Sequence, residues 1–229
     1  MKYQNIKKIL ILASFSVLLG LFSISKAMAA ELVEPQIPIE RASIKLKESL
    51  KDETFLNDFA KINDFVEEVI APHTDFHKIA KLVVGKYWKR ATDEEQKNFE
   101  QEFKVLLVRT YSRAFVDFDD WTMTFLPLDM DKAVKTVKNK QAVTVKTQIL
   151  QPGQRPFAIS YRMWRTDENW KIYDIVIEGI SLVKNYRTSI GSRIKKSGSS
   201  LASVTEFLAK KNRTALAKKQ DKDDQEEQS

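Results

Sequence analysis

Hydrophobic and polar positions alternate from Phe157 to Arg165, and a second strand-like stretch from Trp170 to Glu178 gives way to a helical period. Phe157, Ile159, Tyr161 and Met163 share one face of a predicted strand. The polar run Thr166-Asp167-Glu168-Asn169 has hairpin length and residues that tolerate turn geometry. In the following strand, Trp170 to Glu178, the alternation fails: Trp170, Ile172 and Val176 fall on one face, and Tyr173, Ile175 and Ile177 on the other. A strand apolar on both faces must be covered on both sides, or covered on one and turned to a dry cavity on the other. Gly179 then releases the chain into a helix carrying Ile180, Leu182, Val183 and Tyr186. The pattern predicts a curved sheet wrapped around something apolar.

Upstream, the period is helical. Ile39 to Leu50 and, more strongly, Thr54 to Ile70 carry apolar stripes, the second built from Phe55, Phe59, Ile62, Val66, Val69 and Ile70 and ended by Pro72. Asp75 can cap a short helix, Phe76 to Val84, which Gly85 terminates. Lys86 to Arg90 reads as an aromatic helical turn. Thr92-Asp93-Glu94-Glu95 is a capping box opening the longest helix, expected to reach about Phe118. Its broad apolar face includes Phe99, Phe103, Leu106, Leu107, Tyr111 and Phe115, a stripe that a plain packed core also explains.

Trp121 to Leu128 alternates, as does Gln141 to Leu150, and Gln151-Pro152-Gly153-Gln154 is a turn. Strands 141–150, 156–165 and 169–178 therefore form an antiparallel meander. Ser181 to Ile194 and Ser200 to Lys211 are closing helices, and residues 212–229 read as a disordered charged tail. Helices, then about four strands, then helices predict an α+β domain, a twisted antiparallel sheet with helices gathered against one face. Its expected extent is residues 30–211: a helical part at about 39–118, the sheet at about 121–178 and closing helices at about 180–211.

The N-terminus adds a destination. Met1 to Lys8 is basic, Ile9 to Ile24 is almost entirely apolar, and Ala27-Met28-Ala29 has the small-x-small form of a cleavage site. Residues 1–29 read as a secretory signal, the alternative being an uncleaved anchor, for which the apolar run is short. Losing Lys2, Lys7, Lys8 and Lys26 takes the formal charge from +7 to +3. Lys and Arg are interleaved with acids rather than gathered in a stripe, so nucleic acid is not the expected partner. With no cysteine in the chain, disulfides, thiolate catalysis and Cys-based zinc sites are excluded.

Candidate chemistry is sparse. His73 and His77 have the i, i+4 spacing of a metal pair, but Pro72 sets His73 outside the helix and no third ligand is evident. Asp117, Asp119 and Asp120 lack the glycine and alternating spacing of a calcium loop and read as a solvated turn. Asp174, between Ile172 and Val176, has two readings: a general base in a dry pocket, or a carboxylate paired with an arginine or capping donors. No Ser-His-Asp or Cys-His set and no phosphate-binding glycine loop can be drawn. No catalytic residue, metal or cofactor is expected. The aromatic helix stripe and the two-faced strand favour a binding module for a greasy ligand.

Several ordered motifs carry a resemblance. They are Gly85, Tyr87 and Trp88; Ala91-Thr92 with Phe99, Phe103 and Tyr111; Tyr161-Arg162; Trp170; Tyr173-Asp174; Glu178-Gly179 with Ser181-Leu182; and Tyr186-Arg187. From about Asp58 to Phe207 the chain resembles the periplasmic phospholipid-binding shuttles of the Mla lipid-asymmetry pathway, the toluene-tolerance family. The resemblance implies an NTF2-like curved sheet with a helical subdomain, enclosing a pocket for phospholipid acyl chains. It also implies a carrier that shuttles lipid between an outer-membrane lipoprotein–porin complex and an inner-membrane ABC transporter with an MCE-domain ring; a monomer is expected. Pocket residues are read from apolar patterning alone: Trp88, Phe99, Phe103, Leu106, Tyr111 and Phe115 from the helices, and Val145, Tyr161, Trp164, Tyr173, Ile175 and Ile177 from the sheet. The rival readings are an NTF2-like isomerase or hydrolase using Asp174, and a periplasmic chaperone or scaffold.

Overall fold

A computed structural model describes residues 31–112, 120–137, 139–167, 169–198 and 200–226. The expected signal segment, together with Phe115, Asp117 and Asp119, lies outside the described residues. The order is helices α1 (Ile37–Ser49), α2 (Phe59–Phe65), α3 (Phe76–Val84) and α4 (Asp93–Ser112), then strand β1 (Thr122–Phe125) and the short helix α5 (Met130–Ala133). Strands β2 (Lys135–Val137), β3 (Lys140–Leu150), β4 (Phe157–Arg165), β5 (Trp170–Ile177) and β6 (Ile180–Ser181) follow, and helices α6 (Leu182–Lys196) and α7 (Leu201–Glu226) close the chain. This is the expected α+β class.

Sequence-local chemistry places the helix ends. Thr92 Oγ1 accepts the Glu95 N–H at 3.2 Å while the Glu95 carboxylate accepts the Thr92 N–H at 2.8 Å, the reciprocal capping box that starts α4. Asp75 accepts the Lys78 N–H at the start of α3, and Gly85 ends that helix at φ 66°.

The predicted single helix from Thr54 to Ile70 is broken. Asp58 Oδ1 accepts from the N–H groups of Ala60 and Lys61, so α2 starts only at Phe59, while Asp52 gathers Thr54 and Lys61 into the preceding turn. Beyond α2, Val66–Ile70 widens to a π turn in which the Ala71 N–H reaches Val66 O. Pro72 has no N–H with which to continue the ladder. The last helix also departs from expectation: it continues past residue 211 to Glu226, and Asn212, placed in a disordered tail by its polar surroundings, is buried and donates from Nδ2 to Glu102. The Ala, Lys, Gln and Glu of this stretch are good helix formers without an apolar period.

The sheet is antiparallel throughout, in the order β1-β3-β4-β5-β6, with β2 beside β3 on the same edge as β1. The meander β3-β4-β5 follows expectation; α5, β2 and β6 are too short for any period to announce them. Glu178 and Gly179, both at positive φ (47° and 82°), make the two-residue turn joining Ile177 to Ile180.

Apolar side chains gather in three clusters. A helical one holds Trp88, Phe99 and Phe103 with residues of α3, α6 and α7. A sheet one holds Val143, Val145, Met163, Trp170 and Ile172 under Ile39. A third, around Phe55, Ile62 and Val108, ties α2 to α4.

Candidate functional site

Register decides which residues can line a common surface. Val143, Met163 and Ile172 form one cross-strand row, Val145, Tyr161 and Ile175 a second, and Thr147, Ile159 and Ile177 a third. Partners directly opposite one another share a face, so Ile172, Ile175 and Ile177 point the same way despite an odd spacing. The cause is a β-bulge. Arg162 pairs with Asp174 and Met163 with Ile172, which leaves Tyr173 as the extra residue. The failed alternation of 170–178 is thus a change of parity at Tyr173, and it gives the sheet one continuous apolar face.

That face is graded. Val143 and Met163 are buried, whereas Tyr161, Ile175, Ile159 and Ile177 are only half-buried. The Tyr161 hydroxyl bonds to the buried Thr147 side chain, and burial pushes its pKa up to about 12. A phenol held neutral there adds no charge to an apolar wall.

Of the sheet residues singled out from sequence, Val145, Tyr161, Ile175 and Ile177 are brought together on this face. Trp164 and Tyr173 are not; they lie on the other side, where Lys78 Nζ stands 3.1 Å from the Trp164 ring centre and 5.0 Å from that of Tyr173. On the helical side, Trp88, Phe99 and Phe103 are closed into the helical core at 3 %, 0 % and 2 % exposure. Phe99 stacks on Phe103, which meets Tyr186 edge-on at 5.1 Å. Their stripe is the packed core that was the plainer reading, and they do not reach the sheet cluster. Leu106 packs half-buried against the same core. Half-buried Tyr111 is hydrogen-bonded to Tyr186, its pKa raised by burial first and the second phenol next. Ile159 and Met163, which the alternation places on one face with Tyr161, belong to the same wall although the sequence reading did not name them as pocket residues.

Asp174 is explained by the same bulge, which turns it to the opposite side. There its carboxylate, 3 % exposed, accepts from Arg162 Nη1 at 2.8 Å, from Ser181 Oγ at 2.7 Å and from the Val183 N–H at 3.1 Å. Ser181 Oγ in turn accepts the Lys184 N–H and caps α6. The paired-carboxylate reading holds, and the wet or dry pocket that a general base would need is replaced by a knot tying β4 and β5 to a helix N-terminus.

The histidines do not converge. His77 faces Glu100 at 3.2 Å and lies edge-on to Trp88, while His73 sits in the turn before α3 with its pKa lowered by burial and then by Arg41 and Lys171. No cluster of three metal-ligating side chains occurs among the described residues. Nor is any described helix long and apolar enough to cross a membrane.

The sequence profile described as MlaC protein matches residues 40–210. The chain belongs to the MlaC family. Among curated MlaC-family relatives, the toluene tolerance protein ttg2D of Pseudomonas putida is 21 % identical over 139 residues, covering 60 % of this chain and 61 % of that protein. The intermembrane phospholipid transport system binding protein MlaC of Haemophilus influenzae is 20 % identical over 169 residues, covering 72 % and 76 %. The match thus spans about three-fifths of the first relative's length and three-quarters of the second's. A solved structure, the phospholipid-binding protein of Ralstonia solanacearum in complex with a phospholipid, is similar with a TM-score of 0.69 and 27 % identity, over 81 % of this chain and 99 % of that one.

Proposed function

We propose that this member of the MlaC family is a noncatalytic phospholipid carrier of the periplasm, exported by the signal at residues 1–29. The observation that carries the proposal is the half-buried apolar face of β4 and β5, Ile159, Tyr161, Ile175 and Ile177, in a chain whose fold is shared with a phospholipid-bound relative. Acyl chains lie against this face, and the headgroup stays toward solvent. Burial is worth about 0.8 kcal/mol per CH₂, so two chains represent on the order of 20 kcal/mol of gross transfer. A lipid crosses water at a useful rate only if a carrier offers comparable apolar surface and hands the cargo over on docking. The docking sites are an outer-membrane lipoprotein–porin complex and the MCE-domain ring of an inner-membrane ABC transporter, between which the carrier works as a monomer to maintain outer-membrane lipid asymmetry. Three hydrogen bonds engage the Asp174 carboxylate, which supports a structural rather than a catalytic part for it.

Native mass spectrometry of the purified protein, followed by lipid extraction, tests the reading. One phospholipid per chain with mixed headgroups is the expected result. A mass that stays ligand-free after incubation with liposomes overturns it.

A further inference from the structure

The side of the sheet turned away from the proposed cargo has its own chemistry. Lys135, Ala142, Trp164 and Lys171 form one continuous cross-strand row over β2, β3, β4 and β5, each directly opposite the next. At about 4.8 Å between strands, the row is about 14 Å long. Lys140 lies on the same side and stands over the Trp164 ring at 3.9 Å, opposite Val137, an apolar side chain 55 % exposed. Lys78 reaches the same ring from α3, and Lys146 continues the side along β3.

Acid is scarce here. Among the described strand residues pointing this way, Asp174 is the one acid, and it is buried against Arg162. Asp75, at the start of α3, is occupied as a helix cap. Among the described residues no ion pair engages Lys135, Lys140 or Lys171. The electrostatic field reaches beyond the sheet, since Lys171 and Arg41 both depress the His73 pKa, after burial.

We propose that this outer sheet face docks on an anionic phospholipid bilayer surface. Charge and shape together point to the partner. A cationic patch draws lipid phosphates of net negative charge, and lysines near such a surface act additively and in a salt-sensitive way. The Lys78 and Lys140 ammonium groups stand over the Trp164 ring and hold it in place beside the row. A row running across four strands, with Ala142 at its middle and Val137 exposed beside it, suits an extended planar surface better than a protruding peptide. The inference does not rest on the cargo proposal: the two use opposite sides of the sheet, and either can fail alone.

The test is co-flotation of the purified protein with vesicles of phosphatidylethanolamine containing about one-third phosphatidylglycerol, against vesicles of zwitterionic lipid only. Binding is expected on the anionic vesicles alone, and is expected to fall severalfold between about 0.05 M and about 0.3 M salt. Lys140→Glu with Lys171→Glu should weaken it at least about tenfold. Lys195→Glu with Lys196→Glu, which changes net charge equally at the end of α6, should have a small effect. Thermal unfolding and lipid content check each variant, and Lys140→Gln with Lys171→Gln, expected to give a smaller loss, replaces a charge reversal that fails to fold. Equal binding to both vesicle types, equal loss in both double variants, or no vesicle binding at all overturns the proposal. Absence of vesicle binding with salt-sensitive capture on polyglutamate would assign the face to an acidic protein instead.

Discussion

Gly85 and Arg187 meet across the helical core: a Cβ on Gly85 would lie 3.2 Å from Arg187 Nη2 and 3.4 Å from its Cζ. Gly85 also has φ 66° and ψ −126°, a conformation that L side chains rarely adopt. Two motifs far apart in sequence, one ending α3 and the other within α6, are therefore a single packing arrangement.

Gly85→Ala is expected to destabilise the fold by about 1–3 kcal/mol, part from backbone strain and part from displacing the guanidinium. A double-mutant cycle in urea separates the two. Arg187→Ala should cost less in the Gly85→Ala background than in the wild type, with a coupling of about 0.5–1 kcal/mol. Strict additivity would mean that the contact contributes nothing and backbone strain acts alone.

Removing the charge at Asp174 should be among the most damaging single changes, because Arg162, Ser181 and the Val183 N–H all depend on it. Asp174→Asn is expected to cost about 2–4 kcal/mol by equilibrium unfolding. Arg162→Met should cost less, about 1–2 kcal/mol, since its partly exposed guanidinium leaves a carboxylate with two donors still in place. Any catalytic part for Asp174 would instead appear as loss of turnover with stability intact.

The bulge at Tyr173 makes the cargo prediction side-specific. Ile175→Glu, or the milder Ile175→Asn, should reduce co-purified phospholipid at least about tenfold, because a carboxylate or amide on that wall must be desolvated by acyl chains. Trp164→Gln, on the opposite side, should leave the lipid content within about twofold while weakening contacts to Lys78. Lipid content measured by extraction from folded protein distinguishes the two walls. A larger loss at Trp164 than at Ile175 would reverse the assignment.

Tyr161 predicts an alkaline limit. Its folded pKa, about 12, lies above the value of about 10 expected for the unfolded chain, so folding favours the neutral phenol. That contribution is fully present below about pH 10 and is lost as pH rises from about 10 to about 12, up to about 2–3 kcal/mol. Tyr111, raised in the same direction, adds to the same trend. Unfolding free energies measured against pH should fall through this window, and Tyr161→Phe should flatten the fall; an unchanged slope would rule Tyr161 out as its source.

Local chemistry was well read from sequence. The Thr92–Glu95 box, the Asp75 cap, the Gly85 stop and the three long strands all depend on neighbours a few residues away. What sequence could not resolve depended on register. Apolar residues on both sides of 170–178 look the same whether a strand is sandwiched or bulged, and only the Arg162–Asp174 and Met163–Ile172 pairings separate the cases. The same limit divided the candidate site. Phe99 and Phe103 have the period of a helix face, but nothing local says whether that face looks onto a cavity or onto α6 and α7. Asn212, polar among polar neighbours, is held by Glu102 from a distant helix, a contact that no window along the chain contains.

Tyr173 sets the phase of its strand. Every residue from Asp174 to Ile177 keeps its side because Tyr173 is looped out of the ladder, so β5 behaves like a two-track tape read in frame. One track carries the isoleucines of the inner wall, and the other carries Asp174 and Val176 toward α6. Deleting Tyr173 would join Ile172 directly to Asp174 and leave a regular ladder, with Met163–Ile172 and Arg162–Asp174 as consecutive pairs and both tracks on their present sides. A one-residue deletion at 173 should therefore be far better tolerated than one among residues 174–177, which would turn part of a track to the wrong side of the sheet.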